Sequence, residues 1–392
     1  MRETGPERSW PMSNAMQAYR VIVSGGGTGG HVFPAISIAQ AFQRLEPSAQ
    51  IHFVGAMGKI EMTQVPLAGF PITGLWISGF QRSSLWANWK LPLQLILATT
   101  KSLILLLQKR PHLVVGVGGY ASGPLLWMAQ MLGLRTVIQE QNAIPGKTNL
   151  QLSRRSQRIY VAFDGMIRFF EAKKIRCLGN PVRSLITKPM QEQAEAKAHW
   201  GLNTTLKVIL VLGGSLGARA INEAVEKVLR SGERQYAWIW QCGKSYDIPQ
   251  DLIQSMPNQL LVRPFVQEMD RAYAAADLII SRAGAGTMSE LAVVGKPCIL
   301  VPSPYVAENH QHHNALHWVQ RSAAWMSSDK DLAEELPDML QRWSALHQDD
   351  PQENEAGALQ QWGRALKAMA LPDAADQIAK DMLQMLQEGG NP

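Results

Sequence analysis

Three glycine-rich turns constrain the fold of this chain more than any other feature. They are Gly25–Gly30, Gly116–Gly119 and Gly213–Gly217, and each follows a short apolar run that is typical of a buried strand. A strand that leads through a glycine turn into a helix brings free backbone N–H groups and the positive helix end to one point. Such a point suits a phosphate or another anion. Three of them predict two nucleotide-type sheets that face each other across a cleft.

Strand and helix patterns alternate along the chain, which predicts parallel, doubly wound sheets of the α/β class. With 392 residues the chain is long for one core. The segment Gly179–Arg183 contains Gly and Asn-Pro and is the best domain boundary. We expect an N-terminal domain over 18–182, a C-terminal domain over 183–370, and a last helix over 371–392 that can pack back on the N-terminal domain.

Composition and charge narrow the class of protein. The formal net charge of +6 fits an ordinary soluble protein or one attracted to an acidic partner. Three cysteines with neither zinc nor C-x-x-C spacing indicate a reduced, cytoplasmic protein. The first 17 residues lack the apolar core of a secretory signal.

One apolar segment could contact a membrane. The run Leu91–Leu107 is interrupted by polar residues and is too short and too polar for a good transmembrane helix. Aromatic and cationic residues surround it between Trp76 and Arg110, among them Trp86, Lys90 and Lys109. This mixture is typical of a surface that binds lipid headgroups. A core helix with charged edges is the alternative interpretation.

The first glycine turn resembles a dinucleotide fingerprint, but the match is incomplete. The strand Gln50–Val54 does not end in the acidic residue that would hold the ribose of NAD, and Glu61 lies beyond a further loop. NAD binding is therefore disfavoured. His31 follows the turn at the start of a helix, where the helix dipole disfavours the imidazolium and keeps the side chain a base. A capping or packing role is the alternative for His31.

Two patterns could suggest a metal ion, and neither is convincing. The stretch Pro302–Asn314 holds three histidines, but their spacing does not direct them to one centre. The string Asp329–Asp331 is a D-x-D pair that could chelate a cation on a sugar diphosphate, but its position before a helical pattern favours helix capping. We expect neither a metal ion nor a cofactor.

Seven strings resemble the MurG family of bacterial peptidoglycan glycosyltransferases, glycosyltransferase family 28, and they occur in the family's order. They are Gly25–Ala35, Gly116–Pro124, Glu140–Asn149, Gly179–Arg183, Gly213–Asn222, Ser281–Leu291 and Val301–Ala315. The resemblance implies the GT-B fold, in which two Rossmann-like, doubly wound parallel-sheet domains face each other across a deep cleft. Gln139 departs from the family, which often has a histidine there.

The resemblance also implies an activity. It indicates an inverting hexosyltransferase that moves N-acetylglucosamine from UDP-GlcNAc to the 4-hydroxyl of MurNAc in lipid I, which gives lipid II for peptidoglycan. The implied partners are UDP-GlcNAc, lipid I and an anionic membrane surface, without nucleic acid. The implied location is peripheral, on the cytoplasmic face of the inner membrane. A different GT-B lipid glycosyltransferase, such as a diacylglycerol sugar transferase, and a nucleotide-sugar-binding protein without turnover remain alternatives.

Site residues follow from the same resemblance. Thr28, Gly29 and Gly30 would touch the donor sugar and the acceptor pyrophosphate, whereas Asn142 and Gln311 would bind the N-acetylglucosamine. Arg183 and Ser215 would meet the UDP diphosphate, and Val266 would contact the uracil through its backbone. The nucleoside and ribose would be held by Ala285, Gly286, Thr287, Met288, Ser289 and Glu290.

Chemistry adds one catalytic candidate to these binding residues. A general base must take the proton of the acceptor hydroxyl, and His31 is placed to do so. A glycine turn, its helix end and the Arg183 guanidinium can stabilise the departing UDP without a metal ion.

Overall fold

The computed structural model describes residues 18–79, 89–183, 186, 190–214, 217–306, 309–346 and 356–388, and only the backbone over 356–360. Its N-terminal half contains β1 (Arg20–Gly25), α1 (Gly29–Leu45), β2 (Gln50–Ala56), α2 (Glu61–Leu67), β3 (Ile72–Leu75), α3 (Leu91–Lys109), β4 (Leu113–Gly118), α4 (Ser122–Met131), β5 (Thr136–Glu140), α5 (Lys147–Ser153), β6 (Arg158–Val161) and β7 (Ile175–Cys177). Two short 3₁₀ turns lie between β6 and β7.

The second half repeats the alternation of strands and helices. It contains α6 (Gln193–His199), β8 (Lys207–Leu212), α7 (Arg219–Arg230), β9 (Tyr236–Gln241), α8 (Gln250–Ser255), β10 (Leu260–Arg263), α9 (Met269–Ala275), β11 (Leu278–Ser281), α10 (Ala285–Val294), β12 (Cys298–Leu300), α11 (His310–Val319), β13 (Trp325–Met326), α12 (Leu332–Ala345), α13 (Ala356–Ala368) and α14 (Ala374–Glu388).

Each half forms one parallel sheet, which confirms the predicted fold class. The first sheet has seven strands in the order β3-β2-β1-β4-β5-β6-β7, and the second has six in the order β10-β9-β8-β11-β12-β13. Apolar clusters on both faces of each sheet, such as those around Phe42 and Leu126 in the first, form a doubly wound core. The edge strands β3 and β13 were not predicted, because they are short and carry little apolar pattern.

The strand order places the glycine turns. In the first sheet the order reverses between β1 and β4, which lead into the first and second glycine turns. In the second sheet it reverses between β8 and β11, which lead into the third glycine turn and the Ser281 turn. Ligands of open α/β sheets bind where the strand order reverses, at the carboxyl ends of the strands. Both sheets therefore offer a binding crevice at their glycine turns.

The last helix returns to the first sheet. Ile378 and Met382 of α14 lie in the same apolar cluster as Phe42 of α1. At the surface of this contact Arg44 binds Asp376 at 2.6 Å, and the Tyr160 hydroxyl donates to Asp381 at 2.8 Å. The end of the chain thus packs on the N-terminal domain after completing the C-terminal one.

Candidate active site in the cleft between the two sheets

The first and second glycine turns are in direct contact at the end of the first sheet. The Gly26 N–H donates to the Gly118 carbonyl at 3.2 Å. A Cβ at Gly119 would collide with the Gly26 backbone, and one at Gly118 would collide with the His31 imidazole. Both positions also have a φ near +100°, at 103° and 93°. Glycine is therefore required here by close approach as well as by backbone conformation.

Helix α1 begins within this junction and presents free amides. Thr28 precedes the helix with an extended backbone and makes no side-chain cap, whereas its carbonyl accepts the N–H groups of His31 and Val32 at 3.2 Å. Gly29 and Gly30 are the first helical residues, so their N–H groups have no partner within the helix. Together with the helix dipole they form a site that suits an anion.

His31 lies on the same turn and is held as a neutral imidazole. Its Nδ1 is 3.3 Å from the Thr28 hydroxyl. Desolvation in the cleft, together with the nearby His310, lowers the pKa of His31 from 6.5 to about 4, against an opposing hydrogen bond to the Gly26 backbone. The sequence predicted a neutral base but attributed it to the helix dipole. The structure adds His310, which begins α11 of the other domain and approaches His31 across the cleft.

The third glycine turn connects to Val266 through Gln241. The Gln241 amide donates to the Gly214 carbonyl at 3.0 Å, and its oxygen accepts the Val266 N–H at 2.9 Å. A nucleobase can therefore use the Val266 N–H only by displacing Gln241. Ser215 lies outside the described residues, so its role stays a prediction. Gln241 was not identified from the sequence, although a polar residue that ends an apolar strand was the available sign.

Arg183 and Glu290, predicted for different parts of the donor, bind each other. Arg183 Nε and Nη2 donate to the two oxygens of Glu290 at 2.6 and 2.7 Å. The Tyr273 hydroxyl also donates to Glu290, at 3.1 Å, and burial beside that carboxylate raises the pKa of Tyr273. Glu290 is 9% exposed. The structure thus brings the two predicted residues together as a bidentate ion pair next to the boundary between the domains.

The rest of the predicted segment 285–290 divides between the first turn of α10 and the core of the C-terminal domain. Gly284 precedes α10, and Ala285, Gly286 and Thr287 form its first turn. The Met288 side chain is 1% exposed and packs in the core of the C-terminal domain, so only its backbone can meet a ligand. Ser289 donates to the Ala285 carbonyl and receives the Asn180 amide at 3.1 Å.

Amide side chains join the two domains beside the predicted sugar site. Asn142 donates to the buried Glu140, which also accepts the Gly146 N–H and the Asn149 amide. From α11, Asn314 donates to Asn142 Oδ1 at 3.3 Å and accepts the Ala143 N–H at 3.0 Å. Asn142 is therefore held from both domains. Glu140 and Asn314 were not assigned roles from the sequence, although both lie in the matching strings.

The predicted sugar-binding residue Gln311, and Gln139, to which no role was assigned, both have partners within the protein. Gln311 accepts the Ser303 N–H at 2.8 Å, which ties α11 to the loop after β12. Gln139, where the family often has a histidine, donates to Asn180 at 2.8 Å and is fully buried. Gln139 thus belongs to the amide contacts that join the domains at Ser289.

Possible metal ligands do not converge in the described part of the chain, where no group of three His, Cys, Asp or Glu side chains could hold an ion. Asp329 forms an ion pair with Arg282. Asp331 precedes α12 and accepts the Ser328 hydroxyl at 2.5 Å. Asp329 is therefore held in an ion pair, whereas Asp331 makes no side-chain capping hydrogen bond to α12, contrary to the predicted helix capping.

The outer face of α3 is strongly apolar. Its exposed side chains are Leu93, Leu95, Ile96, Leu97, Ile104 and Leu107, and Trp89 before the helix is 72% exposed. With 19 residues and a mean hydropathy of 1.5, α3 reaches the length and composition of a membrane span, contrary to the prediction. However, Ala98, Leu105 and Leu106 pack in the core of the first domain. Residues 80–88 of the predicted lipid-binding surface, including Trp86, lie outside the described residues.

Comparisons with known proteins agree with this geometry. The glycosyltransferase family 28 N-terminal domain matches residues 21–161, and the family 28 C-terminal domain matches residues 208–378. A Bacteroides fragilis protein named UDP-N-acetylglucosamine–N-acetylmuramyl-(pentapeptide) pyrophosphoryl-undecaprenol N-acetylglucosamine transferase is 46% identical over 381 residues, which covers 95% of this chain and 97% of that protein. A Cytophaga hutchinsonii protein of the same name is 42% identical over 369 residues, which covers 94% and 97%.

Solved structures show the same fold. The crystal structure of Acinetobacter baumannii MurG is 29% identical, has a TM-score of 0.73, and is matched over 94% of this chain and 99% of that one. The calicheamicin glycosyltransferase CalG4 is 13% identical with a TM-score of 0.66 over 96% and 100% of the two chains, a likeness of fold alone. Two matching domains, relatives of more than 40% identity and a cleft built from glycine turns lead to one conclusion: the chain belongs to glycosyltransferase family 28.

Proposed function

We propose that this enzyme transfers N-acetylglucosamine from UDP-GlcNAc to the MurNAc 4-hydroxyl of lipid I and so makes lipid II. The observation that carries the proposal is the 46% identity, over 95% of the chain, to a relative named for this transfer. The geometry supports it, since each sheet presents glycine turns at its crevice. One crevice can take a nucleotide diphosphate and the other a lipid diphosphate.

The C-terminal sheet holds the donor in this proposal. The third glycine turn and the start of α7 receive the diphosphate, and Val266 meets the base. Glu290 receives the ribose hydroxyls. Because Glu290 is paired with Arg183 in the structure, donor binding must loosen that pair. Arg183 can then turn its guanidinium to the diphosphate, where it offsets the charge that grows as UDP leaves.

The N-terminal sheet holds the acceptor. The free amides of Gly29 and Gly30 receive the lipid diphosphate, which places the acceptor sugar near His31. Neutral His31 can accept the proton of the attacking hydroxyl. A base with a pKa of about 4 is weak, but a bound diphosphate nearby stabilises the imidazolium and raises that pKa. Acceptor binding thus strengthens the base at the moment it is needed.

The apolar face of α3 provides the membrane contact in this proposal. Lys90 and Lys109 flank it, with Arg110 directly after the helix. Apolar side chains enter the headgroup region while the cations bind anionic lipids. A peripheral location on the cytoplasmic face follows, because the acceptor is anchored there by its lipid.

An acceptor panel at constant UDP-GlcNAc tests the proposal. We expect UDP release and a β-linked product with lipid I, and none with diacylglycerol. Product linkage is read by NMR of the disaccharide. Activity should survive thorough chelation, since Arg183 and helix amides carry the leaving diphosphate. Turnover with diacylglycerol but not lipid I would identify a different lipid glycosyltransferase, and binding of UDP-GlcNAc without any turnover would identify a binding protein.

A further inference from the structure

Glu61 is a buried carboxylate behind the first glycine turn, and the proposed reaction does not use it. Its side chain is 0% exposed at the start of α2. One oxygen accepts the Ala56 N–H and the other accepts the Gly27 N–H, both at 2.9 Å. Within the described ranges no lysine, arginine or histidine forms an ion pair with it. Two backbone amides therefore stabilise this charge.

The backbone around Glu61 is shaped to admit it. A Cβ at Gly26 would overlap the Glu61 carboxylate, and a Cβ at Gly55 would overlap its Cγ. In nucleotide-binding turns, glycines at such positions let a ligand phosphate approach the backbone. In this turn the anion that approaches Gly26 and Gly27 belongs to the protein itself.

Some backbone N–H groups of the first glycine turn already have an acceptor within the protein, and a ligand can use only the others. Gly27 donates to Glu61, and Gly26 donates to the Gly118 carbonyl. Beyond Thr28, the amides of Gly29 and Gly30 open α1 and have no partner within the helix. A ligand diphosphate is thereby directed away from the turn and onto the helix end, on the side of His31.

We propose that Glu61 is a positioning residue for the acceptor. By holding the Gly27 amide it fixes the turn, so that the acceptor diphosphate meets Gly29 and Gly30 at a set distance from His31. This inference rests on the proposed function, since it takes a diphosphate-linked lipid as the ligand of this turn.

The variant Glu61→Gln tests the role with little change of shape. An amide has one oxygen, and its NH₂ group would face an N–H donor, so glutamine cannot satisfy both backbone amides. We expect the KM for lipid I to rise about tenfold, because a turn that Glu61 no longer holds presents the Gly29 and Gly30 amides to the acceptor in the wrong position. The KM for UDP-GlcNAc should stay within about twofold, because the donor binds the other sheet.

The control is Glu46→Gln, which removes the same charge at the far end of α1, where Glu46 contacts the Ser48 hydroxyl. It should leave both KM values unchanged. Melting temperatures of all variants show which of them fold. A folded Glu61→Gln enzyme with a normal KM for lipid I would overturn the proposal. Lack of turnover by the unmodified enzyme on lipid I would instead overturn the proposed function.

Chemical rescue provides a second measurement. Glu61→Ala opens a space for a small carboxylate between Gly27 and Ala56, so formate should lower the raised KM for lipid I, and chloride at equal ionic strength should not. A folded Glu61→Ala enzyme whose KM for lipid I did not change with formate would contradict the proposal. Failure of both variants to fold would also overturn it, since Glu61 would then serve the stability of the domain rather than the acceptor.

Discussion

Arg183, Glu290 and His31 are charged or titratable residues whose state depends on partners far away in the chain. Arg183 and Glu290 neutralise each other in a half-buried pair, and His31 is kept neutral by desolvation and by His310. At the residue scale, the charge or protonation of these side chains is therefore set by contacts that form only in the folded chain.

The variant His31→Ala should lower kcat by at least about 100-fold, the usual contribution of a general base. UDP affinity should change less than about twofold, because His31 lies on the acceptor sheet. Steady-state kinetics and calorimetric titration with UDP measure the two effects. The matched control is His52→Ala, which removes a half-buried histidine of β2 that hydrogen-bonds to Thr73. Equal losses in kcat and UDP affinity would make His31 a positioning residue.

The pH dependence should differ between the free and the acceptor-bound enzyme. A base works when deprotonated, so kcat/KM for lipid I should rise with pH through about 4 and stay level above pH 6 on account of His31. The bound diphosphate should raise the pKa of His31, so kcat should rise with pH at a higher pH than kcat/KM does. Rate profiles from about pH 3 to about pH 9 measure both. If kcat and kcat/KM rose at the same pH, acceptor binding would not raise the pKa of His31.

The variant Glu290→Ala should raise the KM for UDP-GlcNAc by about tenfold or more, since a charged hydrogen-bonding partner of the ligand is lost. It should also lower the free energy of unfolding by about 1–3 kcal/mol, because Arg183 is left half-buried without its carboxylate. Glu223→Ala breaks an exposed pair with Arg219 and should change neither quantity much. An unchanged donor KM would remove Glu290 from the ribose site.

At the scale of elements, α3 has one face packed in the core and one apolar face exposed. Ala98, Leu105 and Leu106 pack on the sheet and α4, while the opposite face leaves leucines and isoleucines in solvent. A soluble protein rarely exposes so much contiguous apolar surface without a partner. The lack of acidic residues in the helix and the cations at its ends favour an anionic lipid surface as that partner.

Charge reversal of Lys90, Lys109 and Arg110 to glutamate should weaken binding to anionic vesicles by about 100-fold or more, since each cation near such a surface contributes about 1 kcal/mol. Vesicle sedimentation at low and physiological salt measures this change. Reversal of three exposed cations on the other domain, Arg219, Lys227 and Lys330, gives the same net charge as a control. Equal binding by both triple variants would show that the effect belongs to net charge and not to α3.

For the whole molecule, the position of the domains depends on a few polar contacts. Asn314 bonds to Ala143 and Asn142, Asn180 bonds to Ser289, and Asp164 bonds to His317 and Arg321. Three of these contacts are hydrogen bonds of uncharged amides, and the other two are ion pairs of Asp164. The packing of α14 on the first domain limits how far the two can separate.

The variant Asn314→Ala should lower the free energy of unfolding by about 1–3 kcal/mol, because the buried Ala143 N–H loses its acceptor. It should also raise the KM for UDP-GlcNAc, since Asn142 loses its support from α11. Asn222→Ala removes a buried amide that bonds only within the C-terminal domain, to Trp240 and Cys242. We expect it to be destabilising without a change in donor KM. Calorimetry and donor kinetics compare the two variants.

Local patterns were enough to predict much of this molecule. The glycine turns after apolar runs predicted parallel sheets, because each strand, its turn and the start of the next helix are neighbours in the sequence. The seven strings were enough for the family. The edge strands β3 and β13 were missed, because strands of four and two residues are too short to show an apolar strand pattern. Met288 was placed in the site by its string, although helical geometry turns its side chain into the core.

By itself the sequence determined the α/β class, the places where backbone amides are exposed and the family, because these depend on short runs of neighbouring residues. Only the tertiary structure decided that Arg183 meets Glu290, that His310 approaches His31 and that Glu61 fills the first turn. Those contacts join residues that lie tens to hundreds of positions apart. Their energies depend on burial and distance, which arise only when the sheets are packed.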